Sequence, residues 1–173
     1  IETVSLILGI STIFTMSRVY RLKVVPVWDS IATPMDFFGT ALLAGSVASA
    51  VLNWVISDKV YSPCLTFLIF SGFGLCLKIA SIFTTISIQH SSKTLFWYAS
   101  LRNKFKGQTL AHVFRAGVYI TGVALFAAAN IGLTDQSTIF LLISFCIITL
   151  TEIWNRFCFY DSCFVKIGYY FLF

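Results

Sequence analysis

The chain has 173 residues, of which 58% are hydrophobic and 11% charged, with a formal net charge of +5 and a mean hydropathy of +0.88. A soluble domain carries about a quarter charged residues, so this chain has too little polar surface to keep a folded core dissolved in water. The composition excludes a soluble all-α protein and points to a polytopic membrane protein.

Five apolar runs follow one another along the chain. The first, 3–19, is short and starts abruptly behind an isoleucine at position 1. A cleaved signal peptide usually leaves a polar start, so the sequence reads as the C-terminal part of a longer protein, truncated at its N-terminus. A connector at 20–34 contains Pro26 and Pro34 and leads into the second run, 35–56. A short turn at 57–63 precedes the third run, 65–89. A long basic connector, 90–108, precedes the fourth, 109–131, and a tight loop at 132–136 joins it to the fifth, 137–160. Strands of a membrane barrel would be about ten residues of strict alternation, whereas these runs are longer and none alternates. The predicted fold is all-α: a polytopic transmembrane bundle of five helices in one domain. Ala41, Gly45 and Ser49, and again Ala124, Ala128 and Gly132, make small-residue stripes at spacing four. Such stripes predict close helix–helix contact where lipid removes any hydrophobic drive.

Strict alternation of the runs places the 20–34 and 90–108 connectors and the C-terminal tail on one membrane face. Every lysine and arginine then falls on or near that face except Lys59 and Lys78. One missed or invented span would scatter those charges, so their clustering supports the count of five. By the positive-inside rule this basic face would be cytoplasmic. Aromatic residues concentrate there too, among them Tyr20, Trp28, Phe37, Trp97 and Tyr160, as expected of a headgroup-level belt.

The costly intramembrane groups gather toward the same face. Arg18 ends the first run and His90 ends the third. His112 and Arg115 follow soon after the fourth begins, and Glu152 and Arg156 precede the exit of the fifth. At 1.5 Å per residue, Arg115 lies roughly 9 Å below its helix start and Glu152 roughly 12 Å from its helix end. Those depths match, which allows a Glu152–Arg115 bridge between helices beside a Glu152–Arg156 pair within one helix. Lys78 stands apart, roughly 18 Å from the basic end of its helix, and the sequence names no partner for it. Two readings of the cluster compete: helix glue with snorkelling ends, or a polar pocket that binds a redox lipid or passes protons.

Other chemistry lacks its residues. Bis-histidine haem ligation needs imidazoles well inside facing helices, and the only histidines, His90 and His112, lie near run ends. Cys64, Cys76, Cys146, Cys158 and Cys163 form no C-x-x-C pair, so neither an iron–sulfur nor a zinc site is suggested. No phosphate-binding glycine loop, H-E-x-x-H or G-x-S-x-G is present.

Arg18-Val19-Tyr20, Val25-Pro26-Val27-Trp28, Thr33-Pro34 and Phe37-Phe38 resemble the connector between the fourth and fifth helices of the dimethyl sulfoxide reductase membrane anchors, the DmsC family. His90-Ser91-Ser92, Arg115 and Glu152-x-x-x-Arg156-x-x-Phe159-Tyr160 keep that family's order and spacing. The resemblance implies helices four to eight of an eight-helix anchor in a bacterial inner membrane. It implies partners, an iron–sulfur electron-transfer subunit and a molybdopterin catalytic subunit, with menaquinol as the substrate oxidised for anaerobic respiration. The anchor would hold no metal and would not be catalytic by itself. Arg18, His90, Arg115, Glu152 and Arg156 become a quinol-pocket or structural cluster. Arg21, Lys23, Trp28, Arg102, Lys104 and Lys106 become partner-docking positions. The family places the basic face on the periplasmic side, opposite to the charge count. A transporter or ion-coupled carrier using the same polar cluster is the rival class, and an anchor without quinol chemistry is a third.

Overall fold

The computed structural model describes residues 2–21, 29–56, 65–91, 102–131 and 137–170, with side chains described for 3–21, 29–56, 65–88, 110–131 and 137–157. Among them are five helices and no strand: α1 (Glu2–Val19), α2 (Ala32–Ile56), α3 (Leu65–Ser91), α4 (Arg102–Ile131) and α5 (Ser137–Tyr170). Four contain spans long and apolar enough to cross a membrane: Ala32–Ile56, Leu65–Ile88, Leu110–Ile131 and Ser137–Phe157. The stretch Thr3–Val19 is shorter than the others and lies below that length. The protein is a multi-pass membrane protein.

Helix ends differ from the apolar runs for local reasons. α2 begins at Ala32 and takes Pro34 into its first turn, where a missing N–H costs nothing because that donor has no intrahelical acceptor. α4 starts at Arg102, seven residues before the predicted run, and α5 continues ten residues past Tyr160. Hydropathy marks where lipid begins, whereas a helix stops only where the backbone meets a breaker. The 102–108 segment has one glycine and no proline, and α5 meets its first glycine at Gly168.

α2 packs on α3, α3 on α4, α4 on α5, and α5 back on α2, so four helices close a ring while α1 leans on α2. The core at its centre is Leu43, Val47 and Ala50 from α2, Tyr119, Phe126 and Ala129 from α4, and Leu141 and Ile148 from α5. The outer faces carry exposed Leu52, Phe73, Phe83, Phe114 and Trp154, which suits hydrocarbon.

The predicted small-residue stripes are not the contact faces. Gly45 and Ser49 are exposed, with open space around Gly45, and Ala124 is exposed as well; Gly132 lies outside the described residues. Close approach occurs instead at Gly39 and Gly74. A Cβ on Gly74 would stand 2.7 Å from the backbone nitrogen of Leu43, and one on Gly39 would stand 3.1 Å from Lys78 Cγ. α2 is turned so that Asp36, Gly39, Thr40, Leu43 and Val47 look inward at spacings of three and four, which leaves Gly45 on the lipid side. Across the other close pair, a Cβ on Gly122 would lie 2.8 Å from Ile148 Cγ1, and the Ser144 hydroxyl donates to Gly122 O at 2.8 Å.

Gly74→Ala should therefore destabilise the bundle by about 1–3 kcal/mol, because backbone cannot yield as a side chain does. Gly45→Ala should be neutral or slightly stabilising. Thermal unfolding of the two variants in the same detergent measures the contrast.

Candidate functional site

Lys78 sits in the middle of α3 and is 1% exposed. A charged ammonium at that depth persists only when it is paired, and the fold brings two carboxylates to it. Lys78 Nζ donates to Asp36 Oδ1 on α2 at 2.9 Å and to Glu152 Oε2 on α5 at 2.9 Å. Glu152 Oε1 is also 2.9 Å from the ammonium but lies off the hydrogen-bonding direction and accepts no hydrogen bond. Gly39 makes room for the lysine stem, and the ammonium lies 5.5 Å from the centre of the Tyr119 ring.

The pairing continues into a closed ring. The Thr40 hydroxyl is 3.0 Å from Glu152 Oε2 and 2.9 Å from the carbonyl of Asp36, its two available acceptors. Arg156 Nη2 donates to Thr40 Oγ1 at 3.2 Å, and Arg156 Nη1 lies 3.6 Å from Asp36 Oδ2. Lys78, Asp36, Arg156, Thr40 and Glu152 thus alternate around a ring with two positive and two negative charges. The ring is neutral as a whole. Asn155 Nδ2 adds hydrogen bonds to both Asp36 oxygens at 3.1 and 3.2 Å, so Asp36 accepts from Lys78 and Asn155 and is paired by charge with Arg156.

α4 joins through Arg115, which is 5% exposed. Its Nη1 donates to Asn155 Oδ1, and its Nη2 meets His112 Nδ1. Toward α1, the Arg156 guanidinium lies 4.1 Å from the centre of the Phe37 ring, and Phe37 stacks on Tyr20 at 5.3 Å. α2, α3, α4 and α5 are therefore tied to one set of polar side chains, and Tyr20, just after α1, reaches it through the aromatic stack on Phe37.

Of the residues singled out from sequence, Arg115, Glu152 and Arg156 meet here. Their partners differ from those expected. Among the described residues Glu152 pairs with Lys78, not with Arg115, and Arg156 pairs with Asp36 on α2, not with Glu152 within α5. Lys78 reaches both Glu152 and Asp36 from α3. Arg18 is exposed at the end of α1 and stands apart from this network. His90 is in the last turn of α3, and Arg102, Lys104 and Lys106 are in the first turns of α4; the side chains of all four are outside the described set. Lys23 and Trp28 lie outside the described residues. Arg21 pairs with Asp29 at 3.2 Å across the first connector.

Sequence reasoning missed Asp36, Thr40, Asn155 and Tyr119. A usable signal for Asp36 existed: of seven acidic residues, only Asp36 and Glu152 fall within the long apolar runs, and Lys78 needed a counter-charge.

With this geometry in place, comparison with known proteins is informative. The pattern of the family described as DMSO reductase anchor subunit (DmsC) matches residues 1–161. This chain belongs to that family. The anaerobic dimethyl sulfoxide reductase chain YnfH of Escherichia coli (strain K12) is 31% identical over 110 residues, 57% of this chain and 37% of that relative. The match thus spans little more than a third of that relative's length. No solved structure matches the chain. In this DmsC-family chain, then, the Glu152-x-x-x-Arg156 motif is one side of an ion-pair ring whose other sides come from α2 and α3.

Removing the lysine leaves two carboxylates facing each other without a cation. Lys78→Met should cost about 3–5 kcal/mol or prevent accumulation of the protein. Adding Asp36→Asn and Glu152→Gln to the same chain should restore part of that loss. Unfolding midpoints of the single and triple variants check it; a triple variant no more stable than the single would show that charge is not the cause.

Proposed function

We propose that this chain acts as the membrane anchor, or a part of it, in a dimethyl sulfoxide reductase-type complex of a bacterial inner membrane. In this reading it holds an iron–sulfur electron-transfer subunit and a molybdopterin catalytic subunit, and it takes part in oxidising menaquinol. Each quinol oxidised releases two electrons and two protons. The electrons pass to the clusters of the iron–sulfur partner, and the protons leave through ionisable groups at the membrane. Family membership supports the anchoring role.

The observation that carries the quinol part is the Lys78–Asp36–Glu152 group, held at hydrocarbon depth by three helices. Ionisable side chains in that position mark proton and substrate pathways more often than they mark simple packing. Asp36 and Arg156 are the more open members, with side chains 14% and 27% exposed against 1% for Lys78. The group therefore grades from sealed to accessible, as a proton outlet requires. In this reading Arg115 lies beside the group through Asn155, and the basic face is the one that meets the partner subunits.

Two measurements test the proposal. Glu152→Gln in the purified complex should lower menaquinol-driven reduction roughly tenfold, about 1.4 kcal/mol in the barrier, while subunit content stays normal. Unchanged oxidation with normal assembly would assign Glu152 to structure alone. Separately, changing Arg102, Lys104 and Lys106 together to Glu should reduce the molybdenum and iron that co-purify with the anchor. Full retention of both metals would remove these residues from the docking surface. Were the wild-type chain to purify without either metal and drive solute uptake in vesicles, the carrier reading would replace this one.

A further inference from the structure

Thr40 has one hydroxyl proton and two acceptors for it. Its Oγ1 lies 2.9 Å from the Asp36 carbonyl and 3.0 Å from Glu152 Oε2. A hydroxyl carries a single O–H, so only one of these contacts is a full hydrogen bond at any moment. The Asp36 carbonyl is one turn back on α2 and already receives the Thr40 backbone N–H in the helix ladder. Glu152 Oε2 belongs to a carboxylate, and hydrogen bonds to ionised acceptors are roughly twice as strong as neutral ones. The proton therefore goes to Glu152.

The lone pairs of the same hydroxyl face a donor. Arg156 Nη2 donates to Thr40 Oγ1 at 3.2 Å, and a guanidinium can only donate. The two bonds run in one direction, from Arg156 through Thr40 to Glu152, and each polarises the other. Among the described residues Thr40 is the only side chain bonded to both Arg156 and Glu152. Lys78 Nζ stands 2.9 Å from each Glu152 oxygen, so distance to the ammonium does not distinguish them. Thr40 meets Oε2 alone.

We propose that Thr40 is a positioning residue, which fixes the plane of the Glu152 carboxylate and carries the polarisation of Arg156 to it. The proposal rests on the reading above, in which Glu152 takes part in menaquinol oxidation. Arg156 is the most open member of the ring, with its side chain 27% exposed against 10% for Glu152. Thr40 connects that open edge to the sealed carboxylate and brings no charge of its own.

Two substitutions separate the hydroxyl from the shape of the residue. Thr40→Val keeps the branched form and removes the hydroxyl; Thr40→Ser keeps the hydroxyl and removes a methyl. Infrared spectra of the intact complex, with those of Glu152→Gln subtracted, isolate the Glu152 carboxylate stretches. These should shift in Thr40→Val and return to their wild-type position in Thr40→Ser. Stretches that stay put in Thr40→Val overturn the proposal. In menaquinol-driven reduction, Thr40→Val should lower kcat between roughly threefold and tenfold with KM unchanged, and Thr40→Ser should recover most of that loss. Added to Glu152→Gln, Thr40→Val should cost nothing more, because its effect passes through that carboxylate. A full additional loss in the double variant, or no recovery in Thr40→Ser, refutes the role. Should Thr40→Val fail to accumulate in the complex, Thr40→Ala serves in each measurement. The infrared reading needs no turnover, so it stands or falls apart from the menaquinol reading, which Glu152→Gln alone decides.

Discussion

A single ammonium group in hydrocarbon governs this structure. Lys78 cannot reach water from the middle of α3, so two other helices must bring carboxylates to it. That demand fixes the rotation of α2, because Asp36 has to look inward. It also fixes where the backbones touch. Gly39 and Gly74 lie on the α2–α3 face that the lysine stem occupies, and a side chain at either would push apart the groups that neutralise Lys78. Close packing and charge pairing are thus one constraint seen from two sides.

Much of the architecture was legible in the residues because lipid imposes a length. Runs of apolar residues near the width of the hydrocarbon layer marked α2 to α5, and the clustering of basic residues kept the count honest. Glu152, Arg156 and Arg115 stood out because an ionised side chain in an apolar run is costly. Partner choice was not legible. Matching depths suggested that Arg115 and Glu152 would meet, but depth fixes only one coordinate of three, and the rotation of each helix decides the rest. Asp36 escaped notice because it lies close to the start of its run, where a carboxylate looks like an ordinary boundary residue. The small-residue stripes misled for a related reason: they show where backbones can approach, whereas the buried charges decide where they do.

The network also balances its own charge. Within the ring, two cations and two anions cancel, which makes the assembly tolerable in a low-dielectric setting. Arg115 lies beside the ring and is held by Asn155 and His112, with no carboxylate among its described partners. A neutral frame of this kind holds its helices together, with one cation at its edge.

The helices that run on beyond the lipid-facing stretches have a mechanical consequence. α4 is already helical from Arg102, seven residues before the apolar run that starts at 109, and α5 stays helical for ten residues past the end of its run at Tyr160. The two helices are antiparallel neighbours, so both extensions project from the same end, by roughly 10 and 15 Å. They form a pair of stiff posts whose backbone entropy was surrendered when the chain folded. Anything seated between such posts would meet a preshaped saddle and would not have to freeze a loose one.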